Sequence, residues 1–156
     1  MRKIQPKLAE LDPVWVKIRS EAEAALSEEP LLGAFLHKNV LQHSTIDSAL
    51  AHRISLKLAS REMSEQYLRE FCNRAFANDN TLANFARADI MATYDRDPAC
   101  HRFLQPLLYF KGFQAVEAYR IAHFMWKSGQ RDIAYFMQSR VSEVFGIDIH
   151  PNAKIG

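Results

Sequence analysis

The chain has 156 residues, of which 48% are hydrophobic and 24% charged, and its formal net charge is +2. This balance is typical of one globular domain with a real core, and it argues against a disordered chain and against a basic nucleic-acid-binding protein. No apolar run approaches the roughly 20 residues that cross a bilayer, and the basic start lacks the apolar core of a secretion signal, so the sequence predicts a cytoplasmic protein with no membrane or nucleic-acid partner.

Helical patterns follow one another from Asp12 onward, and only five glycines interrupt them. Asp12 predicts an N-cap, with Pro13 at the first helical position, before an apolar stripe of Trp15, Ile18, Ala22, Ala25 and Leu26. Pro30 opens a second helix with the apolar residues Leu32, Phe35, Leu36 and Val40. Ser44 is expected to cap a third, ahead of Ile46, Leu50, Ile54 and Leu58.

Three further stretches continue the helical pattern. Ser64 is expected to cap a fourth helix whose inward face carries Tyr67, Leu68, Phe71, Cys72 and Ala75. A fifth helix begins at Asp79 or Asn80, carries Leu82, Phe85, Ala86, Ile90 and Met91 on its apolar face, and must end before Pro98. The segments PLLYFKGFQAVEAYRIAHFMWKSG and QRDIAYFMQSRVSEVFG then end at Gly129 and Gly146, both of which suit C-caps. We therefore predict an all-α domain over residues 12–146, preceded by an N-terminal extension over residues 1–11.

The last ten residues break the helical pattern. Ile149 and Ile155 are six residues apart, and Pro151 blocks a helix between them. An aliphatic residue at every sixth position is typical of a parallel β-helix, in which each short strand points one such side chain inward. A single hexad cannot bury a core, because repeat architectures need several stacked units. Residues 147–156 therefore either begin a β-helix that continues in a longer protein or form a loop.

Cysteines and histidines give no sign of a metal centre. Cys72 and Cys100 are far apart in sequence, and Cys72 sits in a helical pattern where a small buried thiol is expected. The six histidines show neither an HExxH motif nor paired Cys/His spacing. His123 lies in an apolar helix, where a packed, hydrogen-bonded side chain is the simplest explanation. Lys111, Arg120 and Arg131 could pair with phosphates, but solvated helix charges explain them more simply.

Three stretches together resemble the serine O-acetyltransferases of bacterial and plant cysteine biosynthesis. They are RDPACHRFLQPLLYFKGFQAVEAYRIAHFMW, GQRDIAYFMQSRVSEVFGIDIHP and NAKIG. The resemblance is strongest from Arg96 to Gly156 and looser over the first 90 residues, as in EAEAAL and LLGAFLHKNVL. It implies an N-terminal helical domain followed by a left-handed parallel β-helix of hexapeptide repeats. Only the opening of that β-helix, over residues 147–156, would be present in this chain.

The resemblance also implies a reaction and partners. The enzymes of this family transfer acetyl from acetyl-CoA to the hydroxyl of L-serine, and they assemble as hexamers, each a dimer of trimers. L-cysteine is a feedback inhibitor in the family, and O-acetylserine sulfhydrylase binds a C-terminal tail. No bound cofactor is expected. The acetyl-CoA site, the catalytic histidine and that tail would lie beyond Gly156, so this chain alone is expected to be inactive.

Two residues of the sequence match functional positions of the family. Asp148, in DIHP, matches the aspartate that orients the catalytic histidine, and Asp97, in RDPA, matches an aspartate that contacts bound serine. A carboxylate suits the second role because serine presents an ammonium group. Without the resemblance, Asp148 would be read as a turn residue and Asp97 as a helix-boundary residue.

Two other functions stay open at this point. The chain could be an assembly module whose helices self-associate without catalysis of their own. The complete protein could also be another acyltransferase with hexapeptide repeats, which would acetylate an acceptor other than serine.

Overall fold

The computed structural model describes residues 12–156, which form eight α-helices and no strand. The helices are α1 (Pro13–Glu28), α2 (Gly33–Leu36), α3 (Ile46–Leu58), α4 (Glu65–Asn78), α5 (Thr81–Arg96), α6 (Leu104–Tyr109), α7 (Lys111–Lys127) and α8 (Arg131–Phe145). A 3₁₀ turn (Pro30–Leu32) and a π-helical turn (His37–Leu41) flank α2. The all-α prediction is confirmed, and the proposed extension over residues 1–11 lies outside the described residues.

Two of the three predicted N-cap residues, Asp12 and Ser64, cap their helices in the structure. The Asp12 carboxylate accepts a hydrogen bond from the Trp15 amide at 3.1 Å, and the Ser64 hydroxyl accepts one from the Tyr67 amide at 3.4 Å. The predicted Ser44 cap is wrong by one residue, because Thr45 accepts from the Ser48 amide at 3.3 Å instead. Either hydroxyl can cap a helix, so the sequence alone did not distinguish them.

Two breaks shape the second half of the chain. The predicted segment from Pro106 to Gly129 splits at Phe110, whose backbone is extended between α6 and α7. Gly129 and Gly146 adopt positive φ values of 82° and 70°, as expected of glycines that end helices. Gly146 ends α8 and turns the chain into residues 147–156, which contain a turn at Pro151 and Asn152. Their assignment to a hexapeptide-repeat β-helix stays a prediction.

Helix α7 occupies the centre of the fold and packs against α3, α4, α5, α6 and α8. Its buried residues include three alanines and larger apolar side chains, so neighbouring helices approach it closely on several sides. Three side chains predicted on the apolar faces of these helices are exposed instead: Tyr67 at 61%, Phe85 at 40% and Met91 at 47%. Among the described residues, no helix combines the length and the apolar character needed to cross a membrane.

Candidate functional site

Asp97 lies at the junction that the sequence predicts. It follows the last residue of α5, and Pro98 holds its backbone in the extended region, at φ −94° and ψ 112°. The carboxylate Oδ1 accepts a hydrogen bond from the Ala99 amide at 2.8 Å. Oδ2 has no hydrogen-bond partner among the described residues. A half-buried carboxylate is thus fixed at one oxygen and free at the other, which suits a cationic ligand group.

A cavity of about 650 Å³ opens beside Asp97. Its walls come from α5, from α7 and from the last two residues of the chain, and they are formed by Asp89, Ala92, Thr93, Arg96, Asp97, Pro98, Gly112, Phe113, Val116, Arg120, Ile155 and Gly156. The lining therefore combines apolar surface with carboxylate and guanidinium groups. This is the composition of a pocket for a small polar molecule.

A buried charged cluster stands behind the cavity wall. Arg120 is only 6% exposed, and its Nη2 donates to the Asp89 carboxylate at 2.9 Å and to the Gly156 carbonyl oxygen at 3.3 Å. Its Nε lies 3.7 Å from the Glu117 carboxylate. The interpretation of Arg120 as a solvated helix charge is therefore wrong, because α7 is covered on the side that carries this residue.

Glu117 is the least exposed member of this cluster, at 3%. Burial raises the pKa of its carboxyl well above the usual range, and the hydrogen bond to Asp89 and that residue's negative charge add to the shift, while Arg120 opposes it. A neutral carboxyl that donates to Asp89 reconciles the acidic pair with its burial. The sequence signal that could have shown the cluster is a Glu and an Arg three residues apart, surrounded by alanine and isoleucine.

Asp148 lies at a different place, on the exposed surface after α8. We call residues 146–156 the Asp148 segment. The Gln138 side-chain amide donates to Asp148 Oδ1 at 2.9 Å, and the carboxylate lines a shallow cleft with Tyr135, Gln138, Ser139, Ser142 and Glu143. Asp97 does not line this cleft, and Asp148 does not line the cavity beside Asp97. The structure thus does not bring the two predicted site residues into one cavity, although the Asp148 segment runs between them.

His150 and His123 each have packing partners of their own. His150 lies edge-to-face against Trp126 and Tyr135, and its Nδ1 accepts from the Asn152 amide at 3.0 Å. His123 is half-buried and, as predicted, hydrogen-bonded: its Nδ1 lies 2.6 Å from the Pro151 carbonyl oxygen. Within residues 12–156, no group of three or more His, Cys, Asp or Glu side chains is arranged to hold a metal ion.

Known proteins resemble this chain along nearly all of its length. The family profile described as "Serine acetyltransferase, N-terminal" matches residues 14–118. A serine acetyltransferase of Salmonella typhimurium is 45% identical over 147 residues, which cover 94% of this chain and 54% of that protein.

Solved structures give the same result for the fold. The serine acetyltransferase of Brucella abortus in complex with coenzyme A shares 42% identity at a TM-score of 0.89, covering 94% of this chain and 58% of that one. The Neisseria gonorrhoeae serine acetyltransferase in complex with serine shares 46% identity at a TM-score of 0.86, covering 88% of this chain and 57% of that one. The present chain spans about half the length of the curated relatives it matches. A profile that matches more than half of the chain, with relatives of this identity, shows that it belongs to the serine acetyltransferase family and carries the N-terminal helical portion.

Proposed function

We propose that this chain is the N-terminal portion of an enzyme that transfers acetyl from acetyl-CoA to the hydroxyl of L-serine. The observation that carries the proposal is the Asp97 carboxylate, which one hydrogen bond fixes at the rim of a cavity of about 650 Å³ while leaving its second oxygen free. In the proposed complex that oxygen accepts a hydrogen bond from the serine ammonium group. The solved relative that contains serine supports this substrate.

Asp148 has the second role in the proposal. Its carboxylate would accept the imidazole N–H of a histidine supplied by sequence that follows Gly156 in the complete protein. That histidine would then take the proton of the serine hydroxyl as the hydroxyl oxygen attacks the thioester carbonyl. The carbon–sulfur bond breaks, and the imidazolium returns the proton to the sulfur, so CoA leaves as the thiol. No acyl-enzyme is required, because serine itself is the nucleophile. In this direct transfer, none of the side chains of residues 12–156 acts as a nucleophile.

The finer features of the proposal concern the complete protein. We propose that hexapeptide repeats continue from the Asp148 segment, that the protein forms a hexamer in the cytoplasm, and that a C-terminal tail binds O-acetylserine sulfhydrylase. L-cysteine would inhibit by occupying the serine site at Asp97. A solved serine acetyltransferase in complex with cysteine supports that ligand.

The test uses the gene-length protein and two single substitutions. Asp97→Asn removes the charge that pairs with the ammonium group, so we expect KM for serine to rise about 10-fold or more with a smaller change in kcat. Asp148→Asn leaves the histidine without its carboxylate, and we expect kcat to fall about 100-fold or more. CoA release is followed with a thiol reagent. Asp95→Asn, two residues before Asp97 on exposed α5 surface, is the matched control.

Two results would contradict these assignments. If the gene-length protein releases no CoA in the presence of serine, or acetylates another acceptor instead, the proposal is wrong. If Asp97→Asn and Asp95→Asn have equal KM values for serine, Asp97 does not bind the ammonium group.

An assembly role has its own supporting observation. Leu56 and Tyr109 are 47% and 49% exposed, and Phe35 stacks against Tyr109 with ring centroids 6.2 Å apart. The Phe35 and Leu56 side chains also line one cavity of about 550 Å³. An apolar surface of this kind favours self-association. Light scattering on the 156-residue chain tests it: Leu56→Glu should convert a dimer or larger species to monomer, and a parent chain that is already monomeric would contradict the assembly role.

A further inference from the structure

The Asp148 segment is tied down on both sides of Asp148. Before it, Gly146 adopts φ +70° and its amide donates to the Ser142 carbonyl oxygen at 2.9 Å, so the chain leaves α8 in a defined direction. After it, α7 contributes three hydrogen bonds to main-chain carbonyl oxygens: His123 bonds to Pro151, the Tyr119 hydroxyl donates to Ala153, and the Arg120 guanidinium donates to Gly156. With the backbone held at these points, the Asp148 side chain is left with its own torsions as the main freedom.

Gln138 restricts that remaining freedom. It lies within α8, so its Cα is fixed, and its Nε2 lies 2.9 Å from Asp148 Oδ1. An ionised carboxylate only accepts hydrogen bonds, which assigns the NH₂ end of the Gln138 amide to this contact. One carboxylate oxygen is thus occupied, and no described residue hydrogen-bonds to Oδ2. A carboxylate held in this way presents a single oxygen in a single direction.

Glutamine is chemically suited to this position. In an Asp–His pair the carboxylate orients the imidazole and stabilises the imidazolium that forms when the histidine takes a proton. Lysine or arginine at residue 138 would also hold the carboxylate, but its positive charge would oppose the imidazolium. A neutral amide fixes the orientation and leaves the negative charge available. Partners behind a catalytic group commonly matter in this way, as they do around metal-bound histidines.

We infer that Gln138 is a positioning residue for acetyl transfer, which orients the Asp148 carboxylate toward the catalytic imidazole. This inference rests on the proposed function of Asp148. It does not involve contact between Gln138 and substrate, so it predicts an effect on turnover and none on serine binding.

The decisive variant is Gln138→Met in the gene-length enzyme, because methionine has a similar length and no hydrogen-bond donor. We expect kcat to fall about 10-fold, with KM for serine within about twofold of the parent. Gln66→Met is the matched control, since Gln66 is an exposed glutamine on α4 that lines neither candidate site. The control should keep the parent kcat, and both variants should unfold at the parent's urea midpoint.

Gln138→Glu supplies a readout that a purely structural role would not move. At pH 8 two carboxylates would face each other, and the variant should be slower than Gln138→Met. As the pH falls toward 6, a shared proton lets the introduced carboxyl group donate to Asp148, so the activity ratio of variant to parent should rise. A ratio that is flat with pH would overturn the inference.

The outcomes separate this inference from the proposed function. If Asp148→Asn loses turnover while Gln138→Met keeps it, the positioning role is wrong and the proposed function stands. If the gene-length protein does not acetylate serine, the proposed function fails, and with it the catalytic meaning of Gln138. NMR of the 156-residue chain tests the contact itself: the Gln138 side-chain amide resonances should differ between the parent and Asp148→Ala, because the variant removes the carboxylate that accepts from this amide. If the Gln138 amide resonances do not depend on Asp148, the contact is absent and the inference is wrong.

Discussion

The helical body, residues 12–145, and the Asp148 segment are stabilised by different interactions. In the body, apolar side chains such as Trp15, Ile18 and Leu50 are almost completely buried and belong to one core cluster. In the Asp148 segment, side chains of α7 and α8 bond to main-chain carbonyl oxygens and to one carboxylate. Of the apolar residues in this segment, Ile147 packs against the core cluster and Pro151 is buried, whereas Ile155 remains 41% exposed. Burial is roughly proportional to area and is not directional, whereas a hydrogen bond fixes both distance and direction.

Because of this difference, the stability of the fold and the position of the Asp148 side chain should depend on different interactions. The free energy of unfolding should be determined almost entirely by the core cluster, since each net hydrogen bond contributes only about 1 kcal/mol. The position of Asp148 should be determined by the hydrogen bonds, because they constrain geometry at little gain in stability. Truncating a core side chain should therefore change the free energy of unfolding most, and removing one hydrogen bond to the Asp148 segment should change it least.

Leu50→Ala should destabilise the whole helical body. Leu50 is 1% exposed at the centre of α3, and we expect the free energy of unfolding to fall by about 2–5 kcal/mol, because the truncation leaves a cavity. Urea unfolding followed by circular dichroism measures it. Leu31→Ala is the matched control. Because Leu31 is fully exposed, this substitution should lower the free energy of unfolding by less than about 0.5 kcal/mol. Equal losses in the two variants would contradict the assigned core.

A histidine pair should weaken the body at acid pH. His43 and His52 pack with ring centroids 5.2 Å apart, and burial, followed by the positive charge of Arg69 among other groups, lowers both pKa values. The unfolded chain therefore takes up protons at a higher pH than the folded one, so stability is full above about pH 6.5 and is lost as the pH falls below it.

The double variant His43→Gln, His52→Gln tests this assignment by urea unfolding between pH 7 and 5. Its free energy of unfolding should change less with pH than that of the parent. His37→Gln, at an exposed histidine, should keep the parent's slope. If the double variant keeps that slope too, the pair does not cause the acid loss.

Glu117 should act in the opposite pH direction. Its raised pKa means that the folded chain keeps a proton that the unfolded chain releases, so its contribution to stability is present below about pH 4.5 and is lost as the pH rises through the folded-state pKa. Glu117→Gln keeps a donor toward Asp89 and cannot ionise, so at pH 8 it should raise the free energy of unfolding by on the order of 1 kcal/mol. A loss of stability at pH 8 would show that the ionised carboxylate is needed.

Tyr119→Phe should change the free energy of unfolding least, and its effect should be confined to the Asp148 segment. It removes the hydroxyl that donates to Ala153 while keeping the ring, so we expect the free energy of unfolding to change by about 1 kcal/mol or less. Amide hydrogen exchange in residues 149–156 should nevertheless become faster. Tyr67→Phe, at an exposed tyrosine, is the control. Unchanged exchange in the Asp148 segment would mean that apolar contacts hold it after all.

The sequence predicted what depends on neighbours along the chain. Asp12 and Ser64 cap helices, Gly146 ends α8 with a positive φ, and Pro98 holds Asp97 extended, because each effect acts within about four residues. The burial of Arg120 and Glu117 was missed because it depends on how α7 sits among five other helices. The role proposed for Asp148 comes from the resemblance of its motif, whereas no sequence pattern pointed to Gln138, since ten residues and a helix end separate the two.

The distribution of tryptophan gives the two parts of the molecule separate optical probes. The chain has only two tryptophans: Trp15 is buried in the body, and Trp126 meets the His150 ring edge-to-face at 5.1 Å. A chain that keeps Trp15 alone would report melting of the core by its emission. A chain that keeps Trp126 alone would report release of residue 150, because the Trp126 ring would lose its edge-to-face neighbour. Fluorescence could therefore time undocking and unfolding as distinct events in one polypeptide.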